Sequence, residues 1–117
     1  MGRSKEEGRR GEERAEEYLK GNGYRILEKN YRTPFGEIDI VAEEKGTLVF
    51  VEVKKRNTPR FGSPFEAVDA LKRKRILRSA LFYMKERRQT RRRVRFDVLG
   101  IDGEGVHLLK DAFCFEE

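Results

Sequence analysis

The sequence predicts an α/β domain: a mixed five-stranded sheet flanked by two helices, in the order αβββαββ. Three observations predict it. Residues 36–42 and 48–54 are rich in β-branched and aromatic side chains, and Glu43-Glu44-Lys45-Gly46-Thr47 separates them, the pattern of a hairpin. One stretch before the hairpin and one after it repeat apolar residues at three- and four-residue spacing, the period of a helix. Beyond the second of these, Val94, Phe96 and Val98 alternate with other residues, the period of a strand. The chain of 117 residues fits one domain, 1–117, with no repeat and no linker.

The first helix is expected over residues 4–20. Ser4 and Glu7 have capping-box spacing, and Gly21-Asn22-Gly23 ends the pattern. Gly8, Gly11, Glu12, Ala15 and Leu19 fall on one face. That places a carboxylate, Glu12, on the inward face. It either interacts with the helix dipole or reaches toward other acids. Residues 24–31 read as a first strand, and Arg32-Thr33-Pro34-Phe35-Gly36 turns the chain into the hairpin. Residues 55–64 carry Pro, Gly, Asn and Ser without periodicity and read as a loop. Lys55, Arg56, Arg60 and Phe61 there suit a nucleic-acid clamp, or Phe61 tucks under the loop. The second helix is expected over residues 65–87. Val68, Ile76, Ala80 and Tyr83 form its inward stripe, widened by Leu77, Leu81 and Met84. Lys72 lies on that stripe, so it either snorkels outward or points at carboxylates or a phosphate. Asp97 faces away from Val94, Phe96 and Val98, with Leu99 and Ile101, and reads as structural. Residues 106–109 give the fifth strand.

The hairpin carries the chemistry. With its turn centred between Lys45 and Gly46, Asp39 lies opposite Glu52, and Glu37 opposite Lys54. Opposed residues share a face with Cβ atoms roughly 5 Å apart, so three carboxylates and one ammonium gather there. Adjacent carboxylates repel unless a cation separates them. Their oxygens suit Mg²⁺, which takes one or two protein carboxylates and completes its shell with water and phosphate. A lysine beside them orients a water or steadies charge on a phosphoryl oxygen. The competing reading is a salt-bridged rim where the hairpin leaves the core.

Composition narrows the function. Hydrophobic residues make up 37% and charged residues 41%, and the net charge is +6 with a pI near 9.6. A basic balance favours nucleic acid or another anionic surface. One cysteine and one histidine exclude an internal disulfide, a multi-cysteine zinc site and histidine-pair chemistry. Neither a secretory start nor a membrane span is read, so a cytoplasmic protein without membrane association is expected. The run from Arg87 to Arg93, with Arg91, Arg92 and Arg93 at its end, is either a solvated face or a phosphate-backbone footprint. Arg32 pairs with a site carboxylate or a phosphate.

Asp39 followed by Glu52-x-Lys54 resembles the signature of the nuclease superfamily of type II restriction enzymes and archaeal Holliday junction resolvases. Gly11-Glu12-x-x-Ala15, Asn30-Tyr31-Arg32, Gly36-Glu37-Ile38-Asp39, Phe50-Val51-Glu52-Val53-Lys54-x-Arg56, Phe61-Gly62, Lys72 and Arg95-Phe96-Asp97-Val98 together resemble the YraN family of small bacterial proteins, over residues 8–98. Lys55 departs from the small hydroxyl residue expected there. The resemblance implies a restriction-endonuclease-like core and a Mg²⁺-dependent (or Mn²⁺-dependent) endonuclease acting on branched or structured DNA and leaving 5′-phosphates. It implies Asp39, Glu52 and the Val53 carbonyl as metal ligands, with Glu12 or Glu37 assisting. Lys54 would orient the attacking water, and Lys72 would reach the substrate. Cutting a symmetric junction would call for a homodimer. A non-catalytic nucleic-acid-binding module on the same fold, and a protein-interaction domain, are the competing functions.

Overall fold

The computed structural model describes residues 2–55 and 69–114, with side chains from Gly11 onward. The elements are α1 (Gly2–Gly21), β1 (Arg25–Thr33), β2 (Gly36–Glu44), β3 (Thr47–Lys55), α2 (Ala70–Glu86), β4 (Val94–Asp102) and β5 (Gly105–Phe113). This is the expected order. The strands lie side by side as β1-β2-β3-β4-β5. All neighbours are antiparallel except β3 and β4, which α2 joins as a parallel pair.

Alternation along each strand divides the core into two layers. On one face, Val41, Leu48, Phe50, Phe96 and Val98 pack with Ile76, Ala80, Tyr83 and Met84 of α2. On the other, Ile40, Ala42, Val49, Val51, Leu99 and Ile101 pack with Ala15 and Leu19 of α1. α1 closes with a Schellman arrangement. The Tyr24 N–H donates to the Leu19 carbonyl at 3.0 Å and the Gly23 N–H to the Lys20 carbonyl at 3.2 Å, with Gly23 at φ 87°.

Several expected details differ. α1 begins at Gly2, so Ser4 lies inside it rather than capping it. Glu12 is exposed, while Gly11, Ala15 and Leu19 are buried; the inward stripe of α1 is one residue narrower than expected. α2 begins at Ala70, after the cap Asp69, whose carboxylate accepts the Lys72 N–H at 2.9 Å. Residues 65–68, expected to open this helix, lie outside the described residues, as do Arg56, Arg60 and Phe61. Leu81, assigned to the inward stripe, is 53% exposed. β5 runs on to Phe113 because Phe96 and Phe113 pair and stack, with ring centroids 5.1 Å apart.

The β2–β3 turn falls where expected. Glu44 pairs with Thr47, and both Lys45 (φ 49°) and Gly46 (φ 83°) are left-handed, as a two-residue hairpin turn of type I′ requires. Lysine is a poor choice for that conformation, and asparagine a better one. Lys45→Asn is therefore expected to raise stability by about 0.5 kcal/mol. A thermal melt would read this as a Tm increase of about 2 °C; a lower Tm would contradict the turn assignment.

Candidate functional site

The ladder between β2 and β3 runs from Glu44↔Thr47 to Ile40↔Val51 and stops there. β2 continues to pair with β1 as far as Thr33↔Gly36. The strand thus peels away from β3 at Asp39 while staying on β1. Two observations mark the departure. Ile38 packs on the α2 side although Ile40, two residues on, packs on the α1 side. The Asp39 Oδ2 accepts the Val53 N–H at 2.8 Å, so a carboxylate takes over a strand donor. The gap opens as a cleft lined by Gly36, Glu37, Asp39, Glu52, Lys72 and Ser79, among others. Asp39 also borders a second hollow on the α1 side, with Glu12, Lys29, Asn30, Val53 and Lys55.

Glu52 is buried and faces this cleft. Lys72 Nζ lies 2.6 Å from its Oε2, and Lys54 Nζ lies 3.6 Å from the same oxygen. Lys72 gets there because Asp69 fixes the first turn of α2 and the β3–β4 crossover sets that turn over the end of β3. Asp39 is held far above the usual carboxylate range, at about 7. Burial is the main cause and the Glu52 charge the next; the Val53 N–H and the Lys72 ammonium pull the other way. Lys54 is pushed down by burial and by the neighbouring Lys72. Burial would also discharge Lys72, but Glu52 outweighs it and raises it. The result is two carboxylates and two ammoniums at one break in the sheet.

The remaining candidates divide. Glu37 lines the cleft but is exposed and pairs with Arg32 at 3.4 Å. It does not sit opposite Lys54, because the ladder ends first. Glu12 and Asp39 both line the α1-side hollow. Among the described residues, no three His, Cys, Asp or Glu side chains gather as a metal cage. The protein's share here is a carboxylate pair with the Val53 carbonyl close by in the chain. That set still fits Mg²⁺, which needs only one or two protein carboxylates, and a divalent ion would relieve the repulsion that raises Asp39. The Lys55 side chain lies across Gly11 of α1, where a Cβ would collide with its Cδ.

The basic run is not at this site. Leu48 donates to the Arg93 carbonyl at 2.8 Å, so the run meets the start of β3, roughly 13 Å along the strand from Glu52. Arg92 pairs with Glu43 and donates to the Gly46 carbonyl at 3.0 Å, bracing the hairpin turn. Arg87 pairs with Glu28 at 2.7 Å. Arg91 and Arg93 are exposed. Of the three arginines named from sequence, Arg92 has a structural post.

A second polar cluster was only partly visible from sequence. Asp97 is fully buried. It accepts from the Tyr24 hydroxyl at 2.6 Å, from Arg95 Nε at 2.9 Å and from the Asp111 N–H at 2.9 Å. Arg95 continues to Glu44 at 2.7 Å, and Lys110 closes on Glu44 at 2.8 Å. Desolvation and Asp97 push the Tyr24 phenol upward. This cluster faces α1, away from Glu52. Charged residues inside the apolar alternation of β4 were its one sequence signal.

No helix among the described residues is long and apolar enough to cross a membrane. The family model described as "Uncharacterised protein family UPF0102" matches residues 11–101. A UPF0102 protein of Persephonella marina is 44% identical over 106 residues, covering 91% of each chain. One from Desulfosudis oleivorans is 49% identical over 108 residues, covering 91% of this chain and 88% of its own. Another, from Syntrophotalea carbinolica, is 50% identical over 98 residues, covering 84% and 80%. With most of its length matched on both measures, and with the motifs already seen to resemble that group, this chain belongs to the UPF0102, or YraN, family.

Proposed function

We propose that this protein is a metal-dependent endonuclease that hydrolyses DNA phosphodiester bonds, preferring branched or otherwise structured DNA. The observation that carries the reading is the pairing of Asp39 with Glu52 where β2 leaves β3, with the Lys54 and Lys72 ammoniums beside them. A structural rim would not concentrate two carboxylates until one of them resists ionisation.

Asp39, Glu52 and the Val53 carbonyl would hold Mg²⁺ or Mn²⁺. When bound, the ion supplies Lewis-acid charge at a phosphoryl oxygen and a more acidic water. The chain's own groups do the rest. The Val53 N–H fixes one oxygen of Asp39, a residue that lines the cleft. Lys54, held down in pKa, orients the attacking water and faces the charge that grows on the phosphorus oxygens. Lys72 attracts the scissile phosphate. Water oxygen bonds to phosphorus as the ester bond to the 3′ oxygen breaks, giving the 5′-phosphate that the family resemblance implies.

One observation favours a second reading, a binding module without turnover: Lys72 already clamps Glu52 at 2.6 Å. Incubating the purified protein with branched and linear DNAs in Mg²⁺, Mn²⁺ or EDTA separates the two. Cleavage in either metal and none in EDTA is expected. Binding without cleavage under every divalent metal would leave the module standing.

Metal binding should also depend on pH. A raised pKa means that Asp39 holds a proton until the pH passes about 7, and the metal must displace it. Mg²⁺ affinity should therefore rise from pH 6 to pH 8, with proton uptake by the buffer visible in calorimetry. Binding without proton release at pH 6 would contradict the assignment of Asp39.

A further inference from the structure

The outer face of α2 and the tip of the β1–β2 turn form an apolar surface that the core does not use. Phe35 is 46% and Leu81 is 53% exposed. Together with Phe82 they line a shallow hollow whose remaining walls are Arg78 and Lys85. The backbone that carries the aromatic at its rim is held in place. The Phe35 N–H donates to Thr33 Oγ1 at 3.0 Å, and Thr33 Oγ1 in turn bonds the Gly36 carbonyl and Ser79 Oγ, each at 2.9 Å. The turn is thereby pinned to α2.

This hollow adjoins the Asp39–Glu52 cleft. Gly36, the residue after Phe35, lines that cleft, and so do Ser79 and Arg75 of α2. Arg75, Arg78 and Lys85 form no ion pair among the described residues. Among the described residues, a row of cations without ion pairs thus runs from the carboxylate cleft past two aromatic rings.

Resting on the nucleic-acid reading above, we propose that this hollow is a subsite for an unpaired stretch of the DNA strand. Bases lie on Phe35 and Phe82, and the backbone phosphates meet Arg75, Arg78 and Lys85. Charge complementarity selects the occupant, because a groove walled by unpaired cations favours a polyanion that also offers flat apolar faces. A base in intact duplex has its faces covered by its neighbours and cannot use the platform. An unpaired base can, and stacking of this kind is worth about 1–3 kcal/mol per base. The subsite would thereby make the cleft select strands with an unpaired nucleotide beside the scissile phosphate.

The test uses the full-length protein in EDTA, so that no strand is cut. Fluorescence anisotropy is measured with a short labelled single-stranded DNA and with the blunt duplex made from it. Phe35→Ala is expected to weaken single-strand binding by roughly five- to a hundredfold and to leave duplex binding unchanged. Phe35→Trp should restore the single-strand affinity. An unchanged thermal melt shows that the fold is kept. Equal weakening of both DNAs, or of neither, would overturn the proposal. So would a wild-type dimer in sedimentation that Phe35→Ala dissolves, since the hollow would then belong to a second copy. Selective single-strand binding by a protein that never cuts upholds the subsite and sinks only the enzyme. Cutting without that selectivity does the reverse.

Discussion

Asp39→Asn should abolish DNA cleavage while leaving DNA binding intact or slightly stronger. The substitution removes a metal-holding charge and nearly conserves shape. If Asp39 and Glu52 together hold the ion, the loss in rate should be on the order of a thousandfold, because each electrostatic contribution at such a centre supplies several kcal/mol. Affinity should not fall, since one charge repelling phosphate has gone. Lys54→Ala should lose cleavage too but keep Mg²⁺ binding, as the ammonium holds no metal. Single-turnover cleavage, anisotropy and calorimetry read the three properties separately, and a cutting Asp39→Asn variant would end the assignment. The same variant has a stability signature. The raised pKa of Asp39 means that the folded protein binds this proton more tightly than the unfolded chain. Its contribution is full below the unfolded value of about 4 and is lost as the pH climbs through about 7. Asp39→Asn should abolish that loss, so its advantage in Tm over the wild type should grow from pH 5 to pH 8.

Asp97→Ala should be the most destabilising single change in the described core. It would strand the Tyr24 hydroxyl and the Asp111 N–H and deprive the Arg95 guanidinium of its buried partner. Breaking a buried charged pair from one side costs about 3–5 kcal/mol, a Tm loss on the order of 15 °C for a domain of this size. Tyr24→Phe removes two hydrogen bonds to charged groups, one donated to Asp97 and one accepted from Arg95 at 2.9 Å, and should cost at least about 1.5–3 kcal/mol. Urea melts would measure both. A loss below about 1 kcal/mol for Asp97→Ala would mean that water replaces the carboxylate. Because the cluster faces α1, folded Tyr24→Phe protein should keep the ion pairs of Glu52.

The sheet was legible because its signals are local. The strands of the central hairpin are continuous apolar runs rich in β-branched residues, and Lys45-Gly46 fixes the register from Glu44↔Thr47 to Ile40↔Val51. That register alone brought Asp39 toward Glu52. What followed was not legible. Glu37 comes opposite Lys54 only if the ladder runs three residues past Ile40↔Val51; nothing in Gly36-Glu37-Ile38 announces that β2 leaves β3 before then. The Lys72–Glu52 pair depends on how a crossover helix docks, which residue spacing does not encode. The start of α2 had a readable signal in Asp69, a capping residue, that a longer apolar stripe obscured. Glu12 was misplaced because a stripe of small residues tolerates a face drawn too wide. The Asp97 cluster draws on the α1–β1 junction, β2, β4 and β5, and no window of sequence contains it.

The two-residue turn at Lys45-Gly46 acts as a ruler for evolution. With that turn kept, inserting or deleting one residue in either strand between it and the acids would slide that strand by a step and send Asp39 and Glu52 to opposite faces, whereas one added turn residue can be absorbed as a three-residue loop. A two-residue change would restore the faces but shift the acids along the strand. Length change within the strands between the two acids is therefore expected to be constrained. A relative with one extra residue in β2 between the acid and the turn, unmatched in β3, would be expected to have abandoned the paired acids altogether.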